Sequence, residues 1–227
     1  TDIRNDKNPF KNKKVELYGE LNDMLVTIGD DKYWEMINDY VEKFDVNNKL
    51  DYTILACTKK MTSRINIDIQ NGLIKKGKLK EDSNYIEINT DLKEDDKKVK
   101  MKVYPGSVLL ITKNNYRLLS EEDYENCRNE GDKCLFNGNT VIVEDIYTDA
   151  IKVSFNNEYY IIPSDFYEML SGGYSYSIHR SQGSTIKFLY IYLENSFIVR
   201  EMLLVNEALY TAISRGKVGC KLYAENY

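Results

Sequence analysis

A polar run at positions 179–185 carries the side chains of this sequence that are best suited to chemistry. The run has the sequence HRSQGST and offers an imidazole, a guanidinium, a carboxamide and hydroxyls. A guanidinium can hold a phosphate through two parallel hydrogen bonds, hydroxyls donate to phosphate oxygens, and glycine lets the backbone approach a ligand closely. The run is therefore suited to binding phosphate groups. The alternative is a polar connection in which His179 only satisfies a neighbouring group.

A second candidate is Arg215, close to the end of the chain. Met202, Val205 and Leu209, followed by Ala212 or Ile213, recur at helical spacing, and Gly216 follows Arg215 directly, so a helix is predicted to end here. Arg215 has two interpretations. It could complement the negative end of the helix, or it could be an arginine finger that stabilises charge on a transferred phosphoryl group.

Strands must position the polar run. Bulky and β-branched residues at 174–178 and 188–193 predict a strand on each side of it. Because α/β proteins bind ligands where chain connections leave one edge of the sheet, the run is expected at such an edge. Arg215 is expected at the same edge. The strand Tyr52–Cys57, the turn Thr58–Lys60 and the helix Met61–Leu73 predict a βα unit of a parallel sheet.

The remaining segments differ in character. Apolar spacing predicts helices at Lys14–Ile28 and Lys32–Phe44, and mixed charge predicts a solvated loop at Lys75–Lys102 around a short strand. From 116 to 172 the pattern is short strands with tight turns, including a hairpin at Asn137-Gly138, which predicts a small barrel. Ser171–Gly173 is expected to be the hinge that returns to the main sheet.

Composition limits the functions that are possible. With 227 residues and a net charge of −5, the protein does not coat polyanions over its whole surface, so any nucleic-acid site must be a local groove. Four cysteines without C-x-x-C spacing and a single histidine argue against structural zinc and a disulfide framework, and indicate reduced intracellular thiols. No apolar run is long enough to span a bilayer. The start at Thr1 suggests a piece of a longer protein, and the abundant Tyr, Asn, Lys and Ile suggest an A/T-rich genome such as that of a large DNA virus.

Two segments together resemble a known family. SIHRSQGST at 177–185 and LYTAISRGK at 209–217 resemble motifs V and VI of superfamily-1 helicases, specifically the RecD-like DNA helicases of superfamily 1B, the 5′-to-3′ branch. The departures are Arg180 where lysine is usual and Gly216 where alanine is usual. ILACT at 54–58 with Ile65-Asn66 resembles motif IV, VYPGSVLLITKNN at 103–115 resembles a further family segment, and the opening TDIRND resembles the segment after motif III.

The resemblance implies a second RecA-like domain, a parallel-sheet fold of the P-loop NTPase type, formed by 1–115 and 173–227. An inserted small barrel of the Src-homology-3 kind would occupy 116–172. The chain would be the C-terminal half of an ATP-dependent helicase that translocates on single-stranded DNA and unwinds duplex. Its partners would be single-stranded DNA and the N-terminal RecA-like domain of the same protein, which would hold most of the ATP and Mg²⁺.

The resemblance also implies roles for individual residues. Arg215 and Arg4 would be catalytic, and Gln182, Gly183 and Arg215 would contact the nucleotide. The DNA backbone would be held by a larger set: Thr58, Lys113, Asn114, His179, Arg180, Ser181, Ser184 and Thr185. Thr58 could also cap the helix that follows it. No metal ligand is predicted.

No G-x-x-x-x-G-K-[S/T] motif occurs in the chain. The sequence therefore predicts that this chain alone hydrolyses no ATP and unwinds nothing. Two alternatives remain open. The chain could be a nucleic-acid-binding or docking module that kept a helicase fold without catalysis, or part of an RNA-directed superfamily-1 helicase.

Overall fold

The structure is a computed structural model that describes residues 23–28, 31–45, 47, 49–82, 84–128, 131–181, 185–196 and 206–225. The chain divides into two compact units. The first contains the described residues up to 44, then 51–65, and those from 175 onward; the second contains 45–50 and 66–174. The division falls inside one helix, between Ile65 and Asn66.

The described helices and strands follow in chain order: β1 Asp23–Ile28, α1 Lys32–Lys43, β2 Tyr52–Ala56, α2 Lys59–Lys75, β3 Ile86–Glu94, β4 Lys97–Val103, β5 Val108–Ile111, β6 Asn115–Leu118, α3 Glu121–Glu125, β7 Lys133–Leu135, β8 Thr140–Ile146, β9 Ala150–Phe155, β10 Glu158–Pro163, β11 Leu170–Gly172, β12 Ser175–Ser177, β13 Ile186–Leu193, α4 Asn206–Ile213 and β14 Gly216–Ala224. Two 3₁₀ helices, Ser164–Met169 and Ile178–Ser181, precede β11 and β13.

The first unit is built on a five-stranded sheet in the order β1-β14-β13-β2-β12. Every neighbouring pair in it is parallel. Parallel strands need crossover connections, which is why β2 is followed by α2 and not by a hairpin. The predicted α/β class with a parallel sheet is confirmed, and so is the βα unit formed by β2 and α2.

The two faces of this sheet are chemically different because side chains alternate along each strand. On β13, Leu189, Ile191 and Leu193 belong to a buried aliphatic cluster that includes residues of α4. Tyr190 and Tyr192 face the other way and meet tyrosines of α1 edge-on, with ring centroids 5.9 and 5.3 Å apart. A helix therefore covers each face, and α4 lies on the aliphatic one.

The second unit contains a five-stranded sheet in the order β10-β9-β8-β5-β11, whose neighbours are all antiparallel. Asn156 and Asn157 join β9 to β10 with φ angles of 50° and 65°, the left-handed conformation that a two-residue hairpin turn requires. Two smaller antiparallel pairs, β3–β4 and β6–β7, complete the described strands of this unit. A single bridge between Leu119 and Ile161 links the end of β6 to β10.

The predicted helix Lys14–Ile28 was wrong at its end, since residues 23–28 form β1 and pair with β14. Residues 14–22 lie outside the described part of the chain. Met24, Leu25 and Ile28 fit helical spacing, but the run DMLVTI is also apolar and β-branched enough for a strand. The strand is favoured because it pairs with the edge of β14, whose backbone groups would otherwise lack strand partners on that side.

The predicted loop Lys75–Lys102 was also wrong, because β3 and β4 form a long hairpin there. Its turn uses Asp95 and Asp96, which adopt φ angles of 47° and 61°. Most side chains of the hairpin are at least partly exposed, so its strands lack the alternation of apolar residues that marks a strand in sequence.

Two turn assignments also differ from the structure. Asn137-Gly138 does not close a hairpin, because β7 pairs with β6 whereas β8 pairs with β5 and β9. Gly172 is not a free hinge, because β11 pairs with β5. The strand β5, which the sequence placed ahead of the barrel segment, thus belongs to the antiparallel sheet.

Candidate functional site

The strands that flank the polar run 179–185 end and begin at opposite edges of the parallel sheet. Ser177 at the end of β12 is level with Ala56 at the end of β2, so the run starts at the carboxyl edge. It ends at Ile186, which is level with Gly216 at the start of β14, and this is the amino edge. A hairpin would have kept the run at one edge. The parallel pairing of β12 and β13 with β2 instead separates the end of β12 from the start of β13 by the length of a strand.

The carboxyl edge carries Thr58 and the 3₁₀ helix Ile178–Ser181. The Thr58 hydroxyl accepts a hydrogen bond from the Met61 amide at 3.1 Å and donates one to Glu194 Oε1 at 3.1 Å. Thr58 therefore caps α2, as expected, and lies beside a carboxylate that sequence reasoning had not selected. The position of Glu194 directly after β13, level with the end of β2, was the available signal.

Two cationic or titratable side chains of the run are presented to solvent at this edge. His179 and Arg180 are both exposed. Within the part of the chain that the structure describes, Arg180 makes neither an ion pair nor a hydrogen bond through its guanidinium. An exposed guanidinium without an internal partner can bind an external phosphate, because no ion pair with a carboxylate has to break first.

Ser181 differs from expectation. It is 0% exposed, and its hydroxyl donates to the Ile178 carbonyl at 2.6 Å. This bond satisfies the end of the 3₁₀ helix from within, so in this conformation the Ser181 hydroxyl does not face a ligand. The Ile178 side chain next to it belongs to the same aliphatic cluster as α4, which fixes the short helix against the sheet.

The amino edge carries Arg215 and Thr185. The Ile186 amide donates to the Arg215 carbonyl at 2.9 Å, so the exposed Thr185 and Arg215 adjoin along the backbone. Arg215 is half-buried, and its Nε donates to the Thr211 carbonyl at 3.3 Å, one of the carbonyls left open at the end of α4. The terminal guanidinium nitrogens have no partner among the described residues.

Of the described residues of the run, Thr185 shares an edge with Arg215, as expected. His179 and Arg180 lie at the opposite edge, which is about 20 to 25 Å away along the strands at ~3.3 Å per residue. The residues Arg4, Gln182, Gly183 and Ser184 lie outside the described part of the chain.

The other two predicted DNA contacts, Lys113 and Asn114, belong to the second unit and are both exposed. Lys113 Nζ pairs with Glu168 at 2.7 Å, and this carboxylate is largely exposed. The hydrogen bond and the charge of Lys113 lower the pKa of Glu168. Exposed pairs of this kind contribute little to stability and exchange partners readily.

Cys57 stands next to Thr58, but it is not suited to nucleophilic chemistry. Burial, together with the charge of Glu194, raises the pKa of its thiol to about 12. Because the thiolate is the reactive form, Cys57 is unreactive near neutral pH. Among the described residues no group of three or more His, Cys, Asp and Glu could hold a metal ion. None of the described helices combines the length and the apolar content that crossing a membrane requires.

One segment comes within a single residue of a phosphate-binding loop. Residues 72–79 read GLIKKGKL, where Leu79 stands in place of the required Ser or Thr. Gly72 lies within α2, whereas a phosphate-binding loop follows a strand and precedes a helix. This segment is therefore not a phosphate-binding loop.

Comparisons with known proteins give structural likeness only. No family model matches the chain, and no curated protein does. Similar solved structures include the Pif1 helicase from Candida albicans, 14% identical over 91% of this chain and 55% of that chain, with a TM-score of 0.47. Pif1 helicase from Bacteroides in complex with ADP-AlF3 and ssDNA is 16% identical over 85% of this chain and 49% of that chain, with a TM-score of 0.46. This chain spans about half the length of these helicases.

Proposed function

We propose that this chain is the C-terminal half of an ATP-dependent DNA helicase of superfamily 1B. The observation that carries the proposal is that the described ends of the run 179–185 lead to opposite edges of one sheet. The run begins beside Thr58 with an unpaired Arg180 and ends beside Arg215, whose terminal nitrogens are also unpaired among the described residues. One segment of the chain thus joins two cationic sites at opposite edges of one sheet. Such a connection suits an enzyme that converts nucleotide hydrolysis into movement along single-stranded DNA.

Arg215 would serve the nucleotide. When ATP is bound, its γ-phosphoryl group gains charge on its oxygens as it transfers to water. The half-buried guanidinium, held by Thr211 through Nε, can direct its terminal nitrogens at that charge. A preorganised cation in a partly desolvated position is worth about a thousandfold or more in rate. Gln182 and Gly183 would contact the nucleotide, with Arg4 as a second cation. ATP and Mg²⁺ would be bound mainly by an N-terminal RecA-like domain.

The carboxyl edge would serve single-stranded DNA. His179 and Arg180 would contact backbone phosphates there, and Thr58 would join them only if its hydroxyl released Glu194. Ser184 would add a further contact. Thr185 adjoins Arg215 at the amino edge and is not part of this set. Lys113 and Asn114 of the second unit would add contacts. Contacts of this kind hold the strand without selecting a sequence. The Ser181 hydroxyl, bonded internally, would join only if the 3₁₀ helix opens.

The test replaces Arg215 by Ala and by Lys in the full-length protein. We expect ATP turnover stimulated by single-stranded DNA to fall about a thousandfold or more for Arg215→Ala. Nucleotide affinity, measured with a fluorescent ADP analogue, should change little. Lys217→Ala is the matched control, because Lys217 is an exposed cation two positions away and should keep full turnover. Unchanged turnover in Arg215→Ala would remove the finger assignment.

The remaining alternatives separate in the same assay. A docking module without catalysis would give no ATP turnover in the full-length protein. An RNA-directed helicase would be stimulated more by oligo(U) than by oligo(dT), whereas we expect the opposite preference.

A further inference from the structure

Two large aromatic rings stand together on the surface of the second unit. Tyr116, on β6, is 60% exposed, and Phe136, directly after β7, is 45% exposed. Their ring centroids are 5.8 Å apart and their planes are inclined at 75°. A single exposed ring is ordinary in a soluble protein. Two adjacent rings that the core does not use form an exposed edge-to-face aromatic pair, which calls for an explanation.

One hydrogen bond reaches the Tyr116 ring, and others fix the backbone that carries Phe136. Asn114 Nδ2 donates to the Tyr116 hydroxyl at 3.3 Å, and Asn114 Oδ1 accepts from the Asn137 amide at 2.8 Å. The Phe136 amide donates to Asn139 Oδ1 at 2.8 Å, which fixes the turn that follows. Gly138, with a φ of 96°, permits that turn. The ring pair, which we call the aromatic platform, is therefore preorganised, and a ligand would not have to order it.

We infer that the aromatic platform stacks against bases of single-stranded nucleic acid, an inference that rests on the proposed helicase function. Every base has a π-face, so stacking on aromatic rings holds a strand without selecting its sequence. Amide groups next to the rings, from Asn114 and Asn137, can meet the polar edges of bases. Lys113 lies beside Asn114 and can exchange the exposed carboxylate of Glu168 for a backbone phosphate.

The surroundings favour a nucleic acid over a protein partner. The platform is two rings wide, and the residues adjoining it in sequence, Asn114, Arg117 and Asn137, are polar and exposed. A stable protein interface needs roughly 800 Å² per partner with an apolar centre, which two rings within a polar surround do not provide.

The test measures binding of fluorescein-labelled oligo(dT) to the full-length protein by anisotropy, beside an abasic oligonucleotide of the same length and charge. The variant is Tyr116→Ala with Phe136→Ala. The matched control is Tyr85→Ala, which removes a ring of the same unit that is 40% exposed and lies under the Lys102 ammonium. Tyr116→Phe with Phe136→Tyr keeps both rings and shows whether the ring surface itself is needed. Circular dichroism establishes that each variant is folded.

We expect the double alanine variant to lose about 10- to 100-fold in affinity for oligo(dT) and to lose little for the abasic strand. The control and the ring-retaining variant should bind as the wild type does. Stacking is not ionic, so the salt dependence of binding should stay the same in the double alanine variant, whereas Lys113→Ala should reduce its slope by about one.

Equal losses on both oligonucleotides, or no loss, would overturn the platform while leaving the helicase proposal standing. A change in self-association or protein binding without a change in oligo(dT) affinity would also overturn it. Absence of any binding to single-stranded DNA by the wild type would overturn both proposals. Lost ATP turnover in Arg215→Ala is independent of the outcomes that overturn the platform alone.

Discussion

Thr58 shows how one side chain can serve the fold while standing at a candidate binding edge. Its hydroxyl accepts from the Met61 amide and donates to Glu194, so it satisfies one of the open amides at the start of α2 and positions a carboxylate. A phosphate arriving at this edge would meet a hydroxyl whose hydrogen bonds are already made. The stability role of Thr58 can therefore be measured separately from any role in DNA binding.

Thr58→Ala is expected to reduce the free energy of unfolding by about 1 kcal/mol, the usual cost of losing a helix cap. Thr58→Ser keeps the hydroxyl and should retain most of that free energy. Urea unfolding followed by circular dichroism at 222 nm measures both. A loss as large in Thr58→Ser as in Thr58→Ala would show that the methyl group, and not the cap, is responsible.

At the scale of single residues, the sequence predicted the local helix before Arg215 but not the burial of Ser181. The spacing before Arg215 correctly predicted a helix that ends there, because apolar periodicity is a local signal. The burial of Ser181 could not be predicted, because its partner carbonyl at Ile178 becomes available only when the run folds into a 3₁₀ helix. Glu194 was missed because its neighbour Thr58 is 136 positions away in sequence.

At the scale of elements, the strongly patterned segments were predicted and the weakly patterned ones were not. The unit β2–α2 has a β-branched run followed by a long helix, and its existence could be predicted from local patterns. The hairpin β3–β4 is held partly by cross-strand pairs such as Lys100–Glu87 at 3.0 Å, and charged alternation resembles a loop in sequence. That β12 ends and β13 begins at opposite edges of the sheet depends on which strands are neighbours, which is a long-range property.

Gly173 tests the packing of β11 against β5. A Cβ placed on Gly173 would lie 2.7 Å from the Leu109 carbonyl carbon, so the backbone would have to shift. We expect Gly173→Ala to lower the free energy of unfolding by roughly 1–3 kcal/mol, the usual cost of overpacking.

Gly138→Ala provides the comparison for Gly173→Ala. Nothing lies within 4 Å of the position that its Cβ would take, but its φ is 96°. The expected cost is therefore only the backbone strain, about 1 kcal/mol. Thermal unfolding of both variants measures the loss in free energy of unfolding. A loss for Gly173→Ala that is equal to or smaller than the loss for Gly138→Ala would refute the close packing.

Asp39 connects α1 to two strands of the parallel sheet. Its carboxylate accepts hydrogen bonds from Tyr190 at 2.7 Å, from Lys221 at 2.8 Å and from Tyr223 at 3.2 Å, and it pairs with Lys43 at 3.1 Å. Burial raises the pKa of Asp39, but the hydrogen bonds from Lys221, Tyr190 and Lys43 outweigh it, so the pKa lies below its ordinary value.

Because the folded-state pKa of Asp39 is depressed, its carboxylate stabilises the fold above the unfolded-state pKa near 3.8, and this stability is lost as pH falls through the folded-state value. Asp39→Asn should therefore be less stable than the wild type at pH 7, and the difference should shrink by pH 3. Urea unfolding at both pH values measures the difference. A difference that stays constant between them would show that packing, and not charge, connects α1 to the sheet.

At the scale of the whole molecule, a net charge of −5 means that affinity for a polyanion must come from local groups. The structure provides these groups in separate places, with Arg180 at the carboxyl edge of the parallel sheet and Arg215 at its amino edge. If the two edges serve different ligands, substitution at one edge should impair one function and spare the other.

The most direct measurement is ATP turnover by the full-length protein as a function of single-stranded DNA concentration. For Arg180→Ala we expect the half-maximal DNA concentration to rise about 5- to 10-fold while the rate at saturating DNA is kept, because one phosphate contact is lost. For Arg215→Ala we expect the saturating rate to fall about a thousandfold or more while DNA affinity, measured directly by anisotropy, is kept. If both variants lose the same quantity, or if their effects are exchanged, the assignment of one edge to nucleotide and the other to DNA is contradicted.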